Sequence, residues 1–226
     1  VALGEPIQDR RARRHQATKD EIVDAAWAVA REKGLAAVSL ADVAARVGMR
    51  VPSLYSYFAS KHDIYDAMFQ QGNEQFLEVV DARMRAAPRS GRARLSAGFR
   101  MFFDFCTEDP VRYELLFQRT IPGFVPSETS YAKAVEVLAR LRAELAELGL
   151  LQDQSDEDLV TALSIGIVDQ QISNDPGGRR WEPLVEVVAD LAYDYLARKR
   201  RQAGRAPAGP SRRKDARGAR ERREEP

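Results

Sequence analysis

Four times along this chain a serine or threonine is followed three residues later by an acidic residue, with apolar residues at helical spacing beyond it. The pairs are Thr18 with Glu21, Ser39 with Asp42, Ser60 with Asp63 and Ser155 with Asp158. In such a pair the hydroxyl accepts from the backbone N–H three residues on and the carboxylate returns the bond. Two of the orphan donors of a helix start are thereby satisfied. The stops match the starts: Gly34 and Gly149 end two of the runs and Pro88 a third. No segment alternates apolar and polar residues with a period of two, and no internal repeat is visible. A chain so punctuated is expected to be all-α.

The helices follow from these marks. The first is expected from Thr18 to Gly34, with Ile22, Ala25, Ala26 and Val29 on its inner face. The second covers 40–46. Pro52 is tolerable only in a first turn, so the third starts near Arg50 or Val51 and ends near Phe58. A long fourth helix runs from Ser60 to Pro88. Then come 92–108, a short helix at 110–118, 127–148, 155–173 and 181–201. The seventh carries a stripe of Tyr131, Val135, Leu138, Leu141, Leu145 and Leu148.

The stretch VGMRVPSLYSYFASK, 47–61, is the most telling. Isolated helices as short as its central one are marginal in water, so a scaffold must hold it. Val43 and Ala44 keep the preceding helix thin, and Gly48 permits a tight turn. Leu54 and Phe58, four apart, pin the short helix inward. Val51, Pro52, Ser53, Tyr55, Ser56 and Tyr57 are then left to flank it or face out. This is the pattern of a helix-turn-helix. Hydroxyls and apolar edges on its outer face suit phosphates, base edges and thymine methyls in a major groove.

The segment SLADVAARVGMRVPSLYSYFASKHDIYDAM resembles the DNA-binding segment of TetR-family (TetR/AcrR-type) transcriptional regulators. Ser39 stands at a helix start, Val47, Gly48 and Met49 form the turn, Leu54 and Tyr55 precede an aromatic pair, and Lys61 opens the fourth helix. The resemblance covers residues 16–76. It implies that the Ser39 helix start and Lys61 hold phosphates. Tyr55 and Tyr57 would pack on the sugar-phosphate backbone, while Val51, Pro52 and Ser53 meet bases. Arg50 departs from the family's frequent serine cap, and Tyr57 from its common histidine. Tyr55 is either a core aromatic or a backbone contact; Arg50 is either a solvated turn residue or a cation at the groove.

The implied organisation is a flexible basic arm over 1–15 and a DNA-binding domain over 16–76, with its helix-turn-helix at 39–58. A helical regulatory and dimerisation domain follows over 77–202, and a disordered basic tail over 203–226. Charge is segregated accordingly. Residues 1–61 carry +3, 62–197 carry −10 and 198–226 carry +8, leaving +1 overall. Basic ends fit a polyanion, and an acidic body keeps away from it.

The resemblance also implies a homodimer and a small-molecule effector. The last two helices, with Leu159, Leu163, Ile165, Ile167 and Val168 and then Leu184, Val187, Val188, Leu191 and Tyr195, are the expected dimer interface. An apolar pocket is expected around Phe99, Phe102, Phe103, Cys106, Tyr113, Leu116, Phe117, Phe124 and Tyr131, with Gln170, Gln171 and Asn174 as polar partners. A solid aromatic core is the competing reading.

No HExxH, GxSxG or phosphate-loop pattern is present, and the two histidines are far apart. No enzymatic activity, cofactor or metal is therefore expected. The single cysteine, Cys106, excludes an intrachain disulfide. With no membrane-length apolar run, it points to a cytoplasmic protein. The expected function is a repressor that binds a palindromic operator as a dimer and is released by a small apolar effector. The alternative is an architectural DNA binder that takes no ligand.

Overall fold

The computed structural model describes residues 7–203. Its regular structure comprises a short 3-10 helix, Leu35–Ala37, and nine α-helices: α1 (Ile7–Lys33), α2 (Leu40–Arg46), α3 (Val51–Leu54), α4 (Lys61–Ala86), α5 (Gly91–Glu108), α6 (Pro110–Phe117), α7 (Glu128–Glu147), α8 (Gln154–Asn174) and α9 (Leu184–Ala203). No strand occurs among the described residues. No described helix is long and apolar enough to cross a membrane.

Two caps form as the sequence predicts. The Ser39 hydroxyl accepts from the Asp42 N–H at 3.1 Å. Ser60 and Asp63 complete a reciprocal capping box. Two others do not. Helix α1 starts at Ile7, eleven residues before Thr18, so residues 7–15 of the expected flexible arm are helical. Helix α8 is capped by Asp153 with Asp156, two residues ahead of the expected Ser155 and Asp158. Residues 1–6 of the expected arm, and 204–226 of the expected tail, lie outside the described residues.

Two apolar clusters organise the molecule. The first joins Ile22, Ala26, Trp27 and Ala30 of α1, Val43 and Ala44 of α2, Leu54 of α3, Phe58, and Ile64, Tyr65 and Met68 of α4. Its alanines let α1 and α2 approach closely. The Tyr65 hydroxyl donates to the Leu35 carbonyl, giving this buried ring a polar partner. The second cluster fills the space among α4, α5, α7, α8 and α9 with larger side chains, including Phe76, Phe99, Phe103, Phe105, Leu145, Val168 and Leu196.

Helix α4 belongs to both clusters, and so does α6. Leu115 of α6 is buried in the first, while Tyr113 belongs to the second, with Leu116 and Phe117 packed against it. Beside α6, Gly72 of α4 has no side chain to obstruct Leu116. A Cβ there would lie 3.0 Å from Leu116 Cδ2. At its start, Asp109 caps α6 by accepting from the Arg112 N–H. The same carboxylate accepts from Arg31 of α1 at 2.7 and 3.0 Å. Further along, the Tyr113 hydroxyl and the Gln118 amide both donate to Asp169 of α8, at 2.7 and 2.9 Å. Burial and the Asp169 carboxylate together push the Tyr113 phenol up.

Candidate nucleic-acid interface and effector cavity

The nucleic-acid surface is built on α3. The chain leaves α2 through Gly48, whose φ of 68° is a left-handed conformation that glycine adopts without strain. The turn is closed by the Met49 N–H donating to the Ala44 carbonyl at 2.8 Å. Pro52 sits in the first turn of α3, where its missing N–H costs nothing. Leu54 is fully buried and Phe58 is 6% exposed, so the short helix is fastened by its i, i+4 pair. Fully burying one leucine is worth about 2 kcal/mol.

That fastening decides what faces out. Arg50, Pro52, Ser53, Tyr55 and Ser56 are exposed, and Val51, Tyr57 and Lys61 are partly so. Tyr55 is 52% exposed, which removes the core-aromatic reading. Arg50 occupies the cap position of α3 without making a side-chain cap. Lys61 Nζ lies 5.5 Å from the centre of the Tyr65 ring. The Ser39 hydroxyl is committed to its cap: besides accepting from Asp42 N, it donates to the Asp42 carboxylate at 2.6 Å. That carboxylate also takes Lys33, whose bond lowers the acid's pKa. A phosphate contact at Ser39 would compete with these bonds. One contact escapes sequence reading: the His15 ring stacks on Tyr57, centroids 4.7 Å apart and planes 20° from parallel.

The body holds an apolar cavity of about 170 Å³ that is partly open at α7, where Leu138 and Arg140 form its rim. Phe76, Val80 and Met84 of α4, Leu95, Phe99 and Phe102 of α5, Phe117 of α6, Leu141 and Leu145 of α7, and Val160 and Ile165 of α8 form most of its wall. Phe102 meets Phe76 and Phe117 edge-on, at 5.8 and 5.2 Å between centroids. Polar atoms are few. Arg94 and Glu144 lie at one side but are locked in a two-bond pair, both contacts 2.7 Å. Thr161 and Ser164 supply hydroxyls from α8.

Of the twelve expected pocket residues, Phe99, Phe102 and Phe117 line this cavity. The others do not, for identifiable reasons. Phe103 and Cys106 are buried away from it. Phe103 opens on a second, more polar cleft with Asp104, Thr107 and Glu182, and burial pushes the Cys106 thiol up. Tyr113 is turned toward Asp169, and Leu116 toward Gly72. Phe124 folds back to the first cluster, against His62, Tyr65 and Phe69. Tyr131 is 49% exposed, on the outward half of the α7 stripe. On α8, Gln170 and Asn174 bond each other on the surface at 3.0 Å, and Gln171 is spent on Trp181 N and the end of α8. The wall residues that sequence reading missed, on α4, α7 and α8, look like ordinary helix-core positions in one dimension.

A short helix presented by two others, joined through α4 and α6 to a hollow helical body, defines a helix-turn-helix DNA-binding protein with a separate body. Comparison with known proteins narrows this. The sequence model of "Bacterial regulatory proteins, tetR family" matches residues 22–68. The HTH-type transcriptional activator FasR of Mycolicibacterium smegmatis (strain ATCC 700084 / mc(2)155) is 31% identical over 100 residues. That match spans 44% of this chain and 45% of FasR, so less than half of this curated relative's length is covered. A TetR/AcrR-family transcriptional regulator from Thermobifida fusca YX-ER1 superposes with a TM-score of 0.57 at 26% identity, over 78% of this chain and 96% of that one. FadR of Bacillus subtilis, solved with stearoyl-CoA, has the same fold: TM-score 0.60, 20% identity, 76% and 96% coverage. Through residues 22–68 by sequence, and through its fold as a whole, the chain is similar to TetR/AcrR-family transcriptional regulators. The relatives named are regulators, not enzymes.

Proposed function

We propose that this regulator is a dimeric repressor, released from its operator when an acyl-chain effector enters the body cavity. The observation that carries the reading is the double membership of α6. Phe117 forms part of the cavity wall while Leu115, two residues earlier, is packed into the core that holds α3. A ligand that moves Phe117 therefore pulls on the DNA-binding surface.

Apolar walls with a closed Arg94–Glu144 pair favour a chain without charge on its inserted part. The acyl chain of the B. subtilis FadR complex supports the same class. Moving an equilibrium from 1:99 to 99:1 takes a preference of about 5.5 kcal/mol for the released state. At about 0.8 kcal/mol per buried methylene, some seven methylenes would supply it, provided only the released state has room for them.

Dimerisation is proposed through α8 and α9. The inner face of α9 is used up by Val185, Ala189, Ala192 and Leu196, yet Leu184, Val187, Leu191 and Tyr195 form a second, exposed stripe. Beside it α8 exposes Ala162 and Gly166, small enough for close approach, and a Cβ on Gly166 would meet nothing within 4 Å. Two such surfaces facing each other would make a four-helix interface with two-fold symmetry. To read a palindrome, such a dimer would hold its two copies of α3 about one helical turn apart, roughly 34–36 Å.

The test takes duplexes selected by the protein from a random pool. A palindromic consensus bound two chains per site, and its release by stearoyl-CoA, is the expected result. Monomers binding singly would refute the dimer. Binding unaffected by stearoyl-CoA would refute the effector class. A reporter promoter that gains activity when the regulator is deleted marks repression, and one that loses activity marks activation of the FasR kind.

A further inference from the structure

We propose that the first turns of α1 are a second DNA-binding element: a rigid basic helix that lies along the phosphates beside the groove entered by α3. The inference rests on the DNA-binding reading above and adds a surface to it.

The helix of Ile7–Lys33 is longer than its core requires. Its buried residues begin at Ile22, and 10–17 are exposed all round. That stretch adds about 12 Å of helix at 1.5 Å per residue and buries no apolar face. It does not stabilise the cluster beneath it, yet it is not randomly polar. Arg10, Arg11, Arg13 and Arg14 fall within five residues, followed by His15.

Its direction is fixed by two contacts. The His15 ring stacks on Tyr57, just beyond α3. One turn later, Lys19 Nζ lies 5.4 Å from the centre of the Phe58 ring. Arg11, His15 and Lys19 recur at i, i+4 and i+8 and so form one stripe. Following that stripe toward the N-terminus, from Phe58 to Tyr57, brings the next turn, with Arg11, past the tip of the α3 surface. Arg10 and Arg14 adjoin it, four apart. A protein that seats α3 in a major groove holds this turn against the strand bordering that groove. Guanidinium groups bind phosphate through paired N–H donors, so arginine suits the position.

The experiment uses the full-length protein on its selected duplex, with a 40-base-pair duplex of unrelated sequence as a second probe. Each phosphate contact contributes about 0.9 to the slope of log K against log salt. The triple variant Arg10→Ala, Arg11→Ala, Arg14→Ala should flatten that slope by roughly two to three units on both probes. The hydroxyl-radical footprint should lose its outer edge. Ala17→Pro breaks α1 at an exposed position while keeping every arginine. It should show at least half of the same flattening, with the helical signal of the body retained. An unchanged slope and footprint in the triple variant, alongside a one-unit loss in Lys61→Ala, would overturn the proposal and leave α3 as the whole interface. A full slope in Ala17→Pro would overturn the rigid helix in favour of a loose arm. Wild-type protein that selects no duplex would instead refute the DNA-binding reading itself.

Discussion

The head, around α1 to α3, and the body, around α5 to α9, spend apolar residues in opposite ways. The head packs small residues such as Ala26, Ala30, Val43 and Ala44 around a few large ones, Trp27, Leu54 and Phe58, and turns Ser53, Tyr55 and Ser56 outward on and just beyond α3. The body packs large rings and then leaves a hollow among them, with Phe76, Phe102 and Phe117 meeting at their edges. A tight interior gives α3 a fixed position, which recognition of a rigid duplex needs. A hollow interior gives up dispersion contacts and in exchange can be filled. The difference is between a region packed for one arrangement and a region that, on the proposed function, would adopt a second when filled.

The largest effect is expected where the head is opened. Leu54→Ala removes the one fully buried side chain of α3, at a cost of about 3 kcal/mol. DNA affinity should disappear before the helical signal of the body does, as read by calorimetry alongside gel shift. An equal loss in both would show that the two regions melt as one and would break the contrast.

Next comes the start of α8. Asp156 is fully buried and accepts from the N–H groups of Gln152 and Asp153 and from Lys199 of α9. Burial works to raise its carboxyl, but Lys199 and the two backbone donors bring it below the usual range. Asp153 is held lower still, at about 2, by Ser155 and Lys199. A carboxylate whose folded pKa is depressed adds stability above its unfolded pKa and loses it as pH falls. For Asp153 the window therefore runs from the ordinary 3.8 of aspartate down to about 2, and Asp156 loses its share below 3.8. Asp156→Ala should cost about 1–2 kcal/mol at neutral pH. It should flatten that acid limb of the melting temperature. A melting temperature that falls as steeply as before between pH 4 and pH 2 would show that this pair does not govern the body's acid sensitivity.

A smaller change in stability, within about 1 kcal/mol, is expected from filling the cavity with Phe102→Trp. Operator affinity should survive and release by stearoyl-CoA should fail. Persistent release would mean the ligand enters elsewhere. The smallest is Arg31→Ala. The arginine is half exposed, so its pair with Asp109 is worth about 0.5 kcal/mol. Yet it ties α1 to the start of α6, and its loss should alter the ligand concentration needed for release while leaving affinity for DNA unchanged. Titrating the release on both proteins sharpens how the two regions communicate.

The same contrast governs what could be read in one dimension. The head's marks are local: a cap three residues long at Ser39, a glycine at a tight turn, a proline in a first turn, an i, i+4 pair. Each of these is completed by its own neighbours, and the structure keeps all four, though not the Thr18–Glu21 pair, which lies inside α1. Where the sequence misleads, a distant partner intervenes. Asp153 rather than Ser155 caps α8 because Lys199, more than forty residues on, binds both Asp153 and Asp156. Phe124 leaves the expected pocket because the loop before α7 is drawn to α4, where Asp66 accepts from Ser127 N–H and hydroxyl at 2.7 Å. The first turns of α1 were invisible as helix because periodicity reports burial, and nothing there is buried. The cavity needed α4, α7 and α8 to meet around three phenylalanines, which no spacing along the chain records.

The empty place at Gly72 has a consequence for the cell. A repressor without its ligand still spends some fraction of its time off DNA, and that fraction sets how much transcript leaks from the promoter. Here the resting position of α6 depends on a methyl group that is not there. Alanine at 72 would begin 3.0 Å from Leu116 and push it by a few tenths of an ångström, in the absence of any metabolite. If the proposed repressor function holds, the background output of its genes would depend on one hydrogen at Gly72, and it could drift under mutation without any change in which DNA is read or which molecule is sensed.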